Sequence, residues 1–375
     1  MGTLTQYYNV ILLCNNNQHF KNQETIQDVL IHRMSSFSLL PQKVAKLLRF
    51  PLFFNPLWLY KSIKLIIQQK IDIIHAHDLP MVPLGLILGK LFNLPVIYDM
   101  HENYPAALKE WGKKGILNFV FKNYKLALIL NDWCTQHVDK IIVVVDEMKE
   151  LLVNKGVSID KIHIVSNTVN PKLLLDQKLN SNIINRYNNR FIITYLGKFS
   201  PERGLQTAID AMPIIKKEIP NCLLLLAGDG SNRVELQEYA KELNLYDSVD
   251  FPGWIEYKDY LSYITISDIC IIPQPSNSSN DTTIPHKLFE YLAAGKPVLA
   301  SDAKPLWRIL NEYSCGKTFL SNSPDSFADA ALEMYANQKK YIENGKRAID
   351  EKYNWSETAK ELLKLYRDIE AYKSK

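Results

Sequence analysis

Residues 281–302 read Asp281-Thr-Thr-Ile-Pro-His-Lys-Leu-Phe-Glu-Tyr-Leu-Ala-Ala-Gly-Lys-Pro-Val-Leu-Ala-Ser-Asp302. Polar turn residues lead into a helix expected over about 286–294, and Gly295 stops it where a C′ glycine belongs. Pro297 then opens an apolar strand, Val298 to Ala300. Lys287 and Glu290 are three apart, so they share one helix face. A helix start collects free N–H groups and partial positive charge, which suits a phosphate. Loop, lysine and glutamate together form a plausible nucleotide cradle. A capped helix with a solvated Lys and Glu is the plainer reading of the same residues.

Working outward, Phe191–Leu196 is a strand, followed by Gly197-Lys-Phe-Ser-Pro-Glu-Arg-Gly204 and a helix over 205–217. A strand, a glycine-bracketed loop and a helix make a phosphate-binding arrangement, here with Lys198 and Arg203 as cations. Cys222–Ala227 is the next strand and ends in Gly228-Asp-Gly230, whose small residues suit close approach of a ligand. Val249–Phe251 and the turn Gly253-Trp254 follow. Upstream, Ile71–His75 ends in His75-Ala-His77-Asp78, a helix runs from about Pro80 to Phe92, and Pro95–Asp99 ends in Met100-His101-Glu102. That is a parallel strand–helix–strand unit, and binding groups in such sheets gather past the carboxyl ends of strands. His75 reads best as a satisfied core or capping histidine. His101 is the stronger candidate, with an acid beside it.

The run Pro285-His-Lys-Leu-Phe-Glu-Tyr-Leu-Ala-Ala-Gly-Lys-Pro-Val298 resembles the donor-site signature of retaining glycosyltransferases of family 4, which have the GT-B fold. The resemblance spans residues 70–375 and is most specific over 191–302. It implies an α/β chain of two doubly wound Rossmann-like domains facing a cleft. It also implies that Glu290 holds the ribose of a nucleotide sugar, that Lys198 and Arg203 grip the diphosphate, and that the Gly253–Trp254 turn lies along the base. His101 would face the reacting sugar. Many members carry a glutamate eight residues before Glu290, where this chain has Thr282. That leaves the contact to the sugar hydroxyls to backbone amides around Thr283, Ile284 and Pro285, or to Asp281. With His286 and Leu288, these residues complete the expected donor site. The family pattern also has a strand, a Gly-rich loop and a helix before Tyr8, so the first domain is read as lacking its initial unit.

The chain has 375 residues, 47% hydrophobic and 22% charged, which fits two globular domains and not a disordered protein. The expected division is 1–170 for an acceptor-side domain, 171–190 for an asparagine-rich linker, 191–354 for a nucleotide-sugar domain, and 355–375 for a helix crossing back to the first domain. The five cysteines are widely spaced, with no metal-binding pattern, so buried thiols in a reducing cytoplasm are expected. Residues 41–70 carry Lys43, Lys46, Arg49, Lys61, Lys64 and Lys70 around the aromatic stretch Phe50 to Tyr60; residues 111–125 repeat the pattern. Such a surface suits the anionic inner face of the cytoplasmic membrane, and core packing or an acceptor cleft is the alternative. A net charge of +4 and the absence of nucleic-acid signatures argue against nucleic acid.

The expected function is therefore metal-independent transfer of a sugar, with retention, from a nucleotide diphosphate sugar to a glycan or lipid-linked acceptor. No cofactor and no metal ligand is assigned. A non-catalytic nucleotide-sugar-binding subunit and an epimerase of the same fold are the competing readings.

Overall fold

A computed structural model describes residues 2–16, 20–35, 56–111 and 123–373. The chain divides into two compact units. The first comprises 1–144, 148–165 and 359–375; the second comprises 145–147 and 166–358. Both are Rossmann-like α/β assemblies.

In the first unit, β4 (Ile74–His77), β5 (Val96–Met100), β6 (Lys140–Val143) and β7 (Ile162–Ile164) form a parallel sheet in that order. β5 is buried along its whole length, as expected for a strand covered on both faces. A separate sheet has the order β1 (Val10–Asn16), β3 (Val29–Ser35), β2 (Gln23–Ile26), with β1 parallel and β2 antiparallel to β3. The helix 56–69 packs Ile66 against Leu84 and Leu88 of the helix 82–92. β4 begins at Ile74, three residues later than expected, because Lys70 adopts φ 51° and the chain joins the sheet only where the Ile74 amide donates to Pro95. The shift places both His75 and His77 inside the strand.

The second unit has a parallel six-stranded sheet of order β10-β9-β8-β11-β12-β13. The strands are β8 (Phe191–Leu196), β9 (Cys222–Ala227), β10 (Val249–Gly253), β11 (Ile269–Ile272), β12 (Val298–Ser301) and β13 (Gly316–Phe319). Counted along the chain this is the order 3-2-1-4-5-6, with its switch point between β8 and β11. Phe191, Ile193 and Tyr195 alternate into one core with Leu205, Met212 and Ile215 of the helix 205–218 and Phe327 and Met334 of the helix 324–351.

The stretch expected as a linker is not extended coil. It holds short helices over 171–175 and 181–186. Asn170 and Asn180, counted toward a polar linker, are their N-caps, each accepting from an amide two residues on. Asn180 also bonds Asp259 and Ser262, which ties the segment to the second unit. Cys134, Cys222, Cys270 and Cys315 are buried thiols, while Cys14 is only half-buried. Among the described residues, no helix is long and apolar enough to cross a membrane. Residues 43–55 and 112–122, most of the basic aromatic pattern, lie outside the described residues.

Candidate functional site

The switch point of an open parallel sheet leaves a crevice outside the carboxyl ends of its two diverging strands. Here the loops after β8 and β11 flank it. Arg203, in the short helical turn after β8, donates from Nη1 to Gln274 Oε1 at 2.7 Å, just beyond β11. Its Nε is buried without a partner, as is Ser200 Oγ in the same loop. Lys287, at the start of the helix 287–293, turns its Nζ under this loop, 4.0 Å from the Tyr195 ring centroid. A Cβ added at Gly197 would stand 2.7 Å from that Nζ. Burial, and then the Arg203 charge, push Lys287 down to about 7, opposed by Glu290. Glu290, one turn on, accepts from the Tyr260 hydroxyl at 2.6 Å and has His286 3.7 Å away.

The structure thus brings Gly197, Arg203, His286, Lys287 and Glu290 together at one strand edge. Lys198 is exposed, and its carbonyl accepts from Tyr195 Oη. The buried cation paired with Arg203 is Lys287. Gly228 and Gly230 answer to a neighbouring backbone. A Cβ at Gly228 would meet the Gly197 carbonyl oxygen at 1.8 Å, and one at Gly230 the Phe199 oxygen at 1.9 Å. The amides of Gly197 and Phe199 donate to Ala227 and Asp229, so the loops after β8 and β9 interlock. At these two glycines the backbone that comes close is the chain's own. Gly228 in turn donates to Gly253, and Trp254 beyond it is 75% exposed.

The amide cradle is also narrower than expected. Leu288, Phe289 and Glu290 already donate their N–H groups to the carbonyls of Pro285 and His286. An anion here would meet side-chain cations before helix amides. The Asp281 carboxylate accepts from Ser276 Oγ at 2.9 and 3.1 Å and from the Lys304 amide. Thr282 donates to the carbonyls of Ser278 and Ser279. Both side chains therefore hold the turn together. Thr283 is extended, and the Ile284 carbonyl accepts from Asn167. Tyr195, Tyr260 and Gln274 escaped the sequence reading. Tyr195 sits two residues before Gly197, and Gln274 follows the end of β11, positions that could have flagged them; Tyr260 lies mid-helix with no such signal.

In the first unit, β4 and β5 run in register, His75 opposite Ile97 and His77 opposite Asp99. Side chains two apart share a face, so His75, His77, Asp99 and His101 converge. Asp99 Oδ2 lies 3.0 Å from His75 Nε2, 3.2 Å from His77 Nδ1 and 3.2 Å from His101 Nε2. The other His75 nitrogen, Nδ1, is 2.8 Å from Tyr366 Oη. Burial would raise the Asp99 carboxyl, but hydrogen bonds from His101 and His75 and their charge hold it well below the usual carboxylate range. Desolvation, then His75, push His77 down to about 4. These are metal-donor atoms in a set that the sequence reading gave to no metal.

Two Rossmann-like units in one chain, the second with a cation pair at its switch point, define a class: the GT-B glycosyltransferases. The sequence matches the family described as Glycosyl transferases group 1 over residues 176–368 and that described as Glycosyltransferase Family 4 over residues 5–173, and the chain belongs to this glycosyltransferase family. It is 24% identical to the alpha-monoglucosyldiacylglycerol synthase of Streptococcus pneumoniae, over 73% of this chain and 61% of that protein. Its fold is similar to that of sucrose-phosphate synthase from Thermosynechococcus elongatus, with TM-score 0.79 and 19% identity over 99% of this chain and 91% of the other. Anabaena HepE, solved in complex with UDP-glucose, gives TM-score 0.63 and 16% identity over 93% and 86% of the two chains.

Proposed function

We propose that this glycosyltransferase moves a hexosyl unit from a nucleotide diphosphate sugar to a glycan or lipid-linked acceptor, with retention of configuration. One observation carries the reading. Arg203 and Lys287 converge beside two buried polar atoms, Ser200 Oγ and Arg203 Nε, that have no hydrogen-bond partner among the described residues. Buried polar groups are almost always satisfied, so such a pair calls for an occupant. A diphosphate fits: it accepts from the guanidinium and hydroxyl, and it lifts the Lys287 pKa by supplying the counter-charge. As the sugar–phosphate bond breaks, negative charge grows on the departing diphosphate, and Arg203, with Lys287 protonated on diphosphate binding, stabilises it. That arrangement needs no metal ion at the phosphates.

Glu290, held by Tyr260, is proposed to clasp the ribose hydroxyls. Retention and the sugar contact of His101 rest on the family resemblance. The lipid-linked acceptor draws support from the similarity to a diacylglycerol-glycolipid synthase and from the exposed Tyr60 and Lys64 of the helix 56–69. On this reading the protein works at the inner face of the cytoplasmic membrane.

The test is a thermal-shift panel of nucleoside diphosphates and their sugars, since a ligand of the native state raises the melting point. One base should stand out, and its sugar should be hydrolysed slowly without acceptor, releasing the same anomer first. A panel with no shift refutes the reading; a shift without hydrolysis or transfer favours a binding subunit.

A further inference from the structure

The histidine cluster of the first unit is not among the residues proposed to hold the diphosphate, and its geometry is odd for hydrogen bonding alone. A carboxylate oxygen has about two acceptor sites. Three imidazole nitrogens crowd Asp99 Oδ2, within 3.0–3.2 Å, while Asp99 Oδ1 is buried with no hydrogen-bond partner among the described residues. His77 Nδ1 and His101 Nε2 also stand 3.4 Å apart, nitrogen to nitrogen. Donors bound at 2.0–2.2 Å around a tetrahedral ion lie roughly 3.3 Å from one another. The spacings to Asp99 Oδ2 are of that size, and the donor atoms of His75, His77 and Asp99 all lie within 4.8 Å of one another.

We propose that His75, His77 and Asp99 form a binding site for a divalent transition ion of the zinc class, with His101 beside the remaining corner. Imidazole and carboxylate donors select such ions over magnesium or calcium, which favour all-oxygen sets. The outer support is also present. Tyr366, 2.8 Å from His75 Nδ1, fixes which ring nitrogen faces the ion, as partners of metal-bound histidines do. Asp78 follows His77 directly at φ 58°, a strained conformation for a non-glycine residue, with its Oδ1 buried and unpartnered. Bound there, the ion would tie the carboxyl ends of β4 and β5 and, through Tyr366, the helix 355–373. The inference does not depend on the nucleotide-binding reading.

The test uses the full chain after chelator treatment, titrated with Zn²⁺ alone and with Co²⁺ alone. The expected result is one ion per chain, cobalt d–d absorption in the visible, and a raised melting point with zinc. His137, an exposed histidine outside the cluster, serves as control, so H137Q should match the parent. H77Q, at a half-exposed position, should lose the site, and by more than the roughly 10–100-fold expected for the outer partner in Y366F. A far-ultraviolet circular-dichroism spectrum and a metal-free melting transition equal to the parent's would show that H77Q is folded. Zinc binding by the parent no tighter than by H77Q, or equal cobalt spectra for the two, would overturn the proposal.

Discussion

Two strand-end edges gather ionisable side chains, and they are built in opposite ways. In the second unit the edge after β8 and β9 is an interlock of backbones, with Gly197 and Phe199 hydrogen-bonded to Ala227 and Asp229 and space for no side chain at Gly228 or Gly230. Its cations come from two separate segments and are driven together against their own repulsion. In the first unit the edge after β4 and β5 is made by side chains in strand register, and three imidazole nitrogens crowd one carboxylate oxygen. Cations held together against their repulsion, only partly offset by Glu290, suit an anion, whereas donors crowded on one oxygen suit a cation. The contrast yields opposite responses to charge-removing substitutions.

The largest effect is expected where repulsion is stored. Arg203→Ala or Lys287→Ala should each lower kcat by about 10²–10³, the usual loss for one preorganised group facing developing charge. Lys198→Ala should lose far less, and steady-state rates of the three variants rank them directly. Next comes the interlock. Gly228→Ala forces a Cβ against the Gly197 carbonyl, and should cost about 3 kcal/mol or more. Gly156→Ala, at φ 82° with open space around it, should cost about 1 kcal/mol from its backbone alone. Melting midpoints of the two variants check the difference. Smallest is the surface effect. Neutralising Lys61 and Lys64 together should weaken co-sedimentation with anionic vesicles by about 1 kcal/mol per lysine, and unchanged co-sedimentation would remove the membrane from the account.

The second unit was open to reading because its signals are local. Glycines bracket the loop 197–204, apolar runs mark β8, β9 and β12, and Gly295 closes a helix. The partnership of Arg203 with Lys287 was not, since it depends on how far the helix 287–293 swings under a loop some eighty residues upstream. The same limit hid Tyr260 behind Glu290. Asparagines at 170 and 180 misled as composition, because a capping asparagine and a linker asparagine look alike until the following residues are seen to be helical. The histidine cluster could have been foreseen. His-x-His on one strand and Asp-x-His on the next put four donors on one face whenever the two strands pair in parallel and in register.

The central claim is that Lys287 is a cation held short of its charge until a diphosphate arrives. In the unfolded chain its pKa is ordinary, and in the folded chain it falls to about 7. Between those values the unfolded state binds more protons, so ligand-free stability rises with pH across that window. Diphosphate binding has the reverse dependence, because above pH 7 the complex must take up a proton. The deciding measurement is calorimetric titration of the preferred nucleoside diphosphate into the parent and Lys287→Met, from about pH 7 to about pH 9. The account predicts parental affinity falling by up to about tenfold per pH unit, with proton uptake, and weak, pH-independent binding by the variant. Equal affinities for the two proteins, or parental binding flat across that range, would contradict it.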